Sequence, residues 1–248
     1  KEATMPPLRP VKPEFEDIPL TPTRKAIAER VLQSAREMPV FHIHAEVDAT
    51  AVLAARAAAK NELGQEAPSY NDFILKAVAT TLRRHPRLNA WFENDVIRVA
   101  KQVNLAFAAA TPEGVLLPTV FEADRKTLEE IAAESREMIA MARAGRLRAS
   151  LQAGATFTVS NIGPVGIDAF NAIISPPQVA ILAIGSVLEK AAVVDGSLGV
   201  RSVASFTLTV DHRAIDGADG AAFLADVKKA LEAQTWPPAG TEGPTGEG

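Results

Sequence analysis

Four short β-type segments followed at once by a helix, all within residues 155–233, restrict the fold more than any other feature of the chain. The segments cover residues 155–160, 179–184, 191–194 and 203–210 and are rich in Val, Ile, Ala and Thr. Their connections are short. A parallel pair needs a crossover of a dozen or more residues, so closely spaced strands of this kind favour antiparallel or mixed pairing. The helix after them is expected from Gly217 to about Ala233. Upstream, Thr21-Pro22 offers an N-cap and a first-turn proline for a helix running to about Glu37. Residues 41–47 alternate polar and apolar as a half-buried strand does. Asp48 is expected to cap a second helix that stops at Gly64, and Ser69 a third that ends before Pro86. Strands over 96–99, 103–110 and 115–120, with turn signals at Pro112-Glu113-Gly114, precede a fourth helix over 128–143. The pattern predicts an α/β fold in which helices cover a mixed sheet.

Composition narrows the chemistry. Cysteine is absent, which excludes disulfides, thiolate metal sites and a protein thiol nucleophile. Any thiol chemistry must bring its sulfur with the substrate. The formal net charge of −4 gives no electrostatic reason to expect nucleic acid as a partner. No apolar run is long enough for a bilayer and the start has no signal-peptide pattern, so a cytoplasmic protein is expected, with no membrane partner. Prolines 6, 7, 10 and 13 among charges mark residues 1–17 as an extended linker, and the Pro, Gly, Thr and Glu of residues 237–248 read as a disordered tail. Residues 18–236 remain as the folded domain.

Four histidines are candidates for chemistry. His42 and His44 stand two apart on one strand and share a face. They could ligate a metal, but no third ligand is near and a structural role is the commoner outcome. No metal is expected. His85, before Pro86 at a helix end, suits the helix dipole as a cation. His212 lies at a strand-to-helix corner in Asp211-His212-Arg213-Ala214-Ile215-Asp216-Gly217, where a side chain can reach a cleft. Asp216 is near enough to brace that corner or orient the imidazole, and Gly217 permits a tight turn or a close approach. Spacing alone still favours a structural histidine over a catalytic one.

The string Asp-His-Arg-x-x-Asp-Gly resembles the signature of the dihydrolipoyl acyltransferases of 2-oxo acid dehydrogenase complexes. A looser form, His-x-x-x-Asp-Gly, occurs in chloramphenicol acetyltransferases and peptide-synthetase condensation domains. Three further stretches are similar to this family in the right order. They are Thr156-Phe157-Thr158-Val159-Ser160-Asn161-Ile162-Gly163, the run from Phe170 through Ser175-Pro176-Pro177-Gln178 to Leu182, and Arg24 to Arg30 followed by Pro39-Val40-Phe41. Ser175 departs from the common Asn and bears only on loop geometry. The resemblance covers roughly residues 18–236.

The resemblance implies a two-layer α/β sandwich of chloramphenicol acetyltransferase type. It implies homotrimers that join into a cubic or icosahedral core, with an active-site channel between two subunits. Coenzyme A and a lipoyl-lysine arm, carried on a separate domain that would precede residues 1–17, are the implied substrates. The decarboxylase and dihydrolipoyl dehydrogenase of the complex are the implied partners. His212 takes the place of the general base, Ser160 that of the hydroxyl donor to the oxyanion, and Asp216 that of an acidic residue, Asn in some members, that supports the loop. An arginine of the first helix would pair with Asp216, Arg24 by choice and Arg30 as competitor. Without the motif, Ser160 reads as a turn serine before Gly163. Acetyl is the expected acyl group. Branched-chain or succinyl transfer, an amine or alcohol acceptor, and an assembly scaffold without catalysis are the alternatives.

Overall fold

A computed structural model of the chain describes residues 13–112, 114–194 and 196–233. Most of the linker expected over 1–17 and all of the tail expected over 237–248 lie outside these residues. Helix α1 spans Pro22–Glu37 as expected, with the Thr21 hydroxyl accepting the Arg24 N–H at 3.2 Å. Strand β1 follows at Val40–Asp48 and helix α2 at Thr50–Leu63. The cap of α2 is Ala49 and not Asp48. The Asp48 carboxylate sits one residue earlier and still accepts the Thr50 N–H at 2.9 Å. Helix α3, Tyr70–Leu82, opens with a reciprocal capping box between Ser69 and Asp72. Then come β2 (Ala90–Glu93), which sequence reasoning missed, β3 (Val96–Val99), β4 (Leu105–Phe107), β5 (Ala109–Thr111), β6 (Gly114–Leu116) and β7 (Thr119–Val120). The strand expected over 115–120 is broken because Pro118 has no N–H for a ladder, and the one expected over 103–110 divides after Phe107. Helix α4 covers Leu128–Arg143 as expected.

The last third builds the frame of the site. Strand β8 (Phe157–Asn161) leads to a long hairpin, β9 (Ala180–Val194) and β10 (Ser197–Asp211), and then to helix α5 (Gly217–Leu231). The two strands expected over 179–184 and 191–194 are one strand. Its middle contains Gly185, where a Cβ would fall 1.8 Å from the Asp168 carbonyl oxygen, so glycine there answers a close loop approach and not a turn. The main sheet runs β1-β10-β9-β8-β4-β7. Its β1–β10, β10–β9 and β4–β7 pairs are antiparallel, and β8 is parallel to both β9 and β4. The mixed sheet is therefore as expected.

Alternation along these strands separates two faces. Phe206, Leu208, Val210, Leu182 and Phe157 are fully buried in one cluster with Phe73 of α3, Ile131 of α4 and Phe223 of α5. α5 lies so close to β1 that a Cβ on Gly220 would stand 2.6 Å from Ile43 Cδ1. The other face has a small apolar cluster, Met38, Ala172, Ile174, Ile181 and Ala183, beside a row of hydroxyl and imidazole groups.

Candidate active site

The turn between β10 and α5 carries His212. Its N–H donates to the Pro39 carbonyl at 2.9 Å, and its exposed imidazole leans on Phe41 with the ring centroids 4.7 Å apart. Among the described residues the ring makes no hydrogen bond. The expected brace, Asp216, is the N-cap residue of α5, yet its exposed carboxylate caps nothing. Gly217 is the first helical residue, and a Cβ there would meet nothing within 4 Å, so neither a tight turn nor a close approach explains it.

Asp211, passed over in the sequence, holds this turn. Its N–H donates to the Val179 carbonyl at 2.9 Å, and its own carbonyl accepts the N–H groups of Ala214 and Ile215, each at 3.0 Å. Its carboxylate is fully buried and is bound by Arg213, whose backbone N–H reaches Oδ1 at 3.0 Å and whose Nη2 reaches Oδ2 at 2.7 Å. The hydrogen bond that this guanidinium donates to Asp211 raises its pKa above its usual range. The guanidinium lies 4.3 Å over the Phe92 ring. The Asp-x-Arg spacing around His212 was the available signal. Beside the turn is an open cleft of about 510 Å³ bordered by Arg30, Glu37, Phe92, Asp95, Pro177 and Arg213.

Ser160 lies in β8 itself and not in a turn, which corrects the reading of a turn serine. The loop beyond it is folded back by Asn161, whose Oδ1 accepts the Gly163 N–H at 2.9 Å, and by Ser186, which donates to Gly163 and Ile167 carbonyls. Ser160 is half-buried, and its hydroxyl makes no hydrogen bond among the described residues. It stands level with Ala183 of β9 and Thr207 of β10, whereas His212 comes five residues after Thr207. At about 3.3 Å per residue and about 4.8 Å between strands, their backbone positions are roughly 19 Å apart. Neither side chain can span that gap, so one copy of the chain does not bring Ser160 and His212 together.

Arg24 is exposed on α1, with its guanidinium toward Gly114 of the β5–β6 hairpin, and Arg30 borders the cleft. Neither forms an ion pair with Asp216 among the described residues, so the expected partnership is not made within one chain. The other histidines are each held by a side-chain hydrogen bond. His42 and His44 bond through Nδ1 to Thr209 at 3.0 Å and Thr207 at 2.9 Å, and no group of three metal-ligating side chains occurs among the described residues. His85 sits beyond the end of α3 and pairs with Asp226 of α5 at 2.9 Å, a tertiary brace and not a dipole cap. That hydrogen bond holds the Asp226 carboxyl below the usual carboxylate range.

The fold and these residues can be set beside known proteins. Residues 12–236 match the family model for 2-oxoacid dehydrogenases acyltransferase (catalytic domain). The acetyltransferase component of the Zymomonas mobilis pyruvate dehydrogenase complex is 36% identical over 217 residues, covering 87% of this chain and 49% of that protein. The mitochondrial component of Caenorhabditis elegans is 39% identical over 228 residues, covering 88% and 45%. The chain thus spans about half the length of the curated relatives it matches. Among solved structures, a probable dihydrolipoamide acetyltransferase from Listeria monocytogenes superimposes with a TM-score of 0.86 at 32% identity, covering 92% of this chain and 98% of that one. The dihydrolipoamide acetyltransferase of Azotobacter vinelandii gives 0.85 at 32%, covering 92% and 97%. A chloramphenicol acetyltransferase, at 19% identity and a TM-score of 0.52 over 82% of this chain and 94% of that one, shares the fold. The chain belongs to the 2-oxoacid dehydrogenase acyltransferases, and what it spans matches their catalytic domain.

Proposed function

We propose that this chain transfers an acyl group, acetyl by preference, between coenzyme A and dihydrolipoyl-lysine carried on a separate domain. Each site would combine His212 of one copy with Ser160 of another. The observation that carries this reading is the pairing of two facts. The study of the Azotobacter vinelandii enzyme names a serine, a histidine and an asparagine in its catalytic mechanism, spaced along the chain as Ser160, His212 and Asp216 are here. Within one copy, the serine and histidine stand too far apart to act together.

The chemistry follows from the groups. A thiol of pKa near 8.5 is little ionised at neutral pH, and a neutral imidazole beside it can take its proton. The thiolate attacks the thioester carbonyl of the other substrate. The Ser160 hydroxyl donates to the oxyanion of the tetrahedral intermediate. Collapse expels the second sulfur, which recovers the proton from the His212 imidazolium. Asp216 supports the corner, and any arginine opposite it, Arg24 or Arg30, would come from a neighbouring copy. Acetyl is preferred over succinyl and branched acyl groups because the curated relatives named above are acetyltransferase components.

Assembly belongs to the same reading. The cubic core of a pyruvate dehydrogenase multienzyme complex superimposes with a TM-score of 0.85 at 30% identity, which supports trimers joined into a larger core that receives decarboxylase, dihydrolipoyl dehydrogenase and lipoyl domains. Among the described residues no helix is long and apolar enough to cross a membrane, and the cytoplasm remains the proposed location.

The test is acyl transfer from acetyl-CoA to dihydrolipoamide by His212→Ala, by Ser160→Ala, and by the two co-expressed. Both single variants should be folded and nearly inactive. In randomly mixed trimers about one site in four combines two intact halves, so activity should return to roughly a quarter of the original. No recovery, with mixed trimers shown to form, would refute the shared site. An inactive but folded parent chain would favour the scaffold.

A further inference from the structure

We propose that Arg213 is a positioning residue for His212: by chelating the Asp211 carboxylate across the histidine and stacking on Phe92, it holds the imidazole-bearing turn in its reactive geometry. The proposal rests on the acyltransferase reading and goes beyond it.

The imidazole has little of its own to fix it. Among the described residues, its contacts are a tilted ring contact with Phe41 and a backbone hydrogen bond to Pro39. Its direction therefore depends on the backbone between Asp211 and Arg213. Asp211 is the root of that backbone, because its carbonyl closes the turn onto Ala214 and Ile215. Its side chain is fully buried, and a carboxylate in such a place must be compensated. Every hydrogen bond to it among the described residues comes from Arg213: the backbone N–H at 3.0 Å, Nε at 3.0 and 3.1 Å, and Nη2 at 2.7 Å. The two neighbours of His212 are thus tied to each other over it.

The guanidinium is itself held against an aromatic ring. Its central carbon lies 4.3 Å over Phe92, and the Phe92 N–H donates to the Pro177 carbonyl at 2.8 Å. That loop leads directly into Val179, the acceptor for Asp211. Turn, hairpin and loop therefore close on one another through this side chain. A lysine would keep the charge but supply neither the fork nor the plane.

The experiment compares the parent chain with Arg213→Lys and Phe92→Leu, using acetyl-CoA and dihydrolipoamide. A displacement of about 1 Å can cost a hundredfold in rate, so kcat of Arg213→Lys should fall about tenfold to a hundredfold with both KM values within about twofold. Phe92→Leu leaves the chelate and should lose about threefold to tenfold in kcat, again at constant KM. A crystal structure of Arg213→Lys should show the His212 ring displaced or disordered, a readout independent of turnover. Unchanged kcat in folded trimers, or a raised KM at constant kcat, would overturn the proposal, the first making the pair purely structural and the second making Arg213 a substrate contact. Should Arg213→Lys fail to fold, the same criteria applied to Phe92→Leu decide. Loss of activity in the parent chain would count against the acyltransferase reading instead, and a superimposable His212 ring in Arg213→Lys would still sink this one.

Discussion

On the helix side of the main sheet, Phe157, Leu182, Phe206 and Leu208 meet Phe73 and Phe223 in one buried apolar cluster. On the other side the same strands present Thr158, Ser160, Thr207 and Thr209. Here the side chains are held by directed bonds: Thr158 to Gln178 at 2.7 Å, Thr209 to His42 and Thr207 to His44. The contrast shows that a period of two lets each strand serve both tasks at once. Apolar residues anchor it from one side, so residues on the other side can be chosen for hydrogen bonding and chemistry. The second face also carries Ser160, which His212 of the same copy does not reach.

Substitutions can break this contrast. The largest effect should come from the helix side. Phe206→Ala removes a fully buried ring, should cost about 3–5 kcal/mol of stability, and should lower the urea midpoint accordingly. A loss below about 1 kcal/mol would mean that this face is not the anchor. Ser160→Ala, on the other side, should leave the urea midpoint in place while raising the barrier by about 2.7–4 kcal/mol, read as a fall in kcat of roughly a hundredfold to a thousandfold. A stability loss with unchanged kcat would return Ser160 to a structural role. Thr158→Val strands the buried Gln178 carbonyl and should cost about 1–3 kcal/mol in the same unfolding assay. A neutral result would show that the second face tolerates loss of its directed bonds.

The smallest effect is a pH dependence. The buried hydroxyls of Thr207 and Thr209 share hydrogen bonds with Nδ1 of His44 and His42. Burial, and then the neighbouring His44, hold the His42 imidazole below its usual pKa. The unfolded chain therefore takes up a proton before the folded one does. Stability from this group is complete above about pH 6.5 and declines as pH falls from there through the lower folded value. A modest drop in unfolding midpoint on acidification should be reduced in His42→Gln. An identical pH profile in that variant would discard the assignment.

Much of this was legible along the chain. Thr21 with Pro22, Ser69 with Asp72, and the apolar spacing of α4 mark their helices because caps and periodicity are local properties. The misreadings have physical causes. The strand expected to end at Ile184 runs on through Gly185, which admits the Asp168 carbonyl of the loop before β9. β2 is too short to alternate, and it owes its place to β3 and to the bridge between Trp91 and Gln178. Asp216 makes no side-chain cap within one copy, while Asp211 is bonded into the turn because Arg213 folds back over it, a contact that spacing alone does not announce.

Local spacing thus carried most element types and the mixed sheet, since these depend on groups within a few positions of one another, whereas His212 and Ser160 stood out only through the resemblance of their motifs. Sheet order depends on long-range packing, and no interval along the chain encodes it. Only the assembled sheet put β10 between β1 and β9, set Ser160 level with Thr207, and left His212 at the far end of its strand. The separation of serine and histidine within one copy follows from that order.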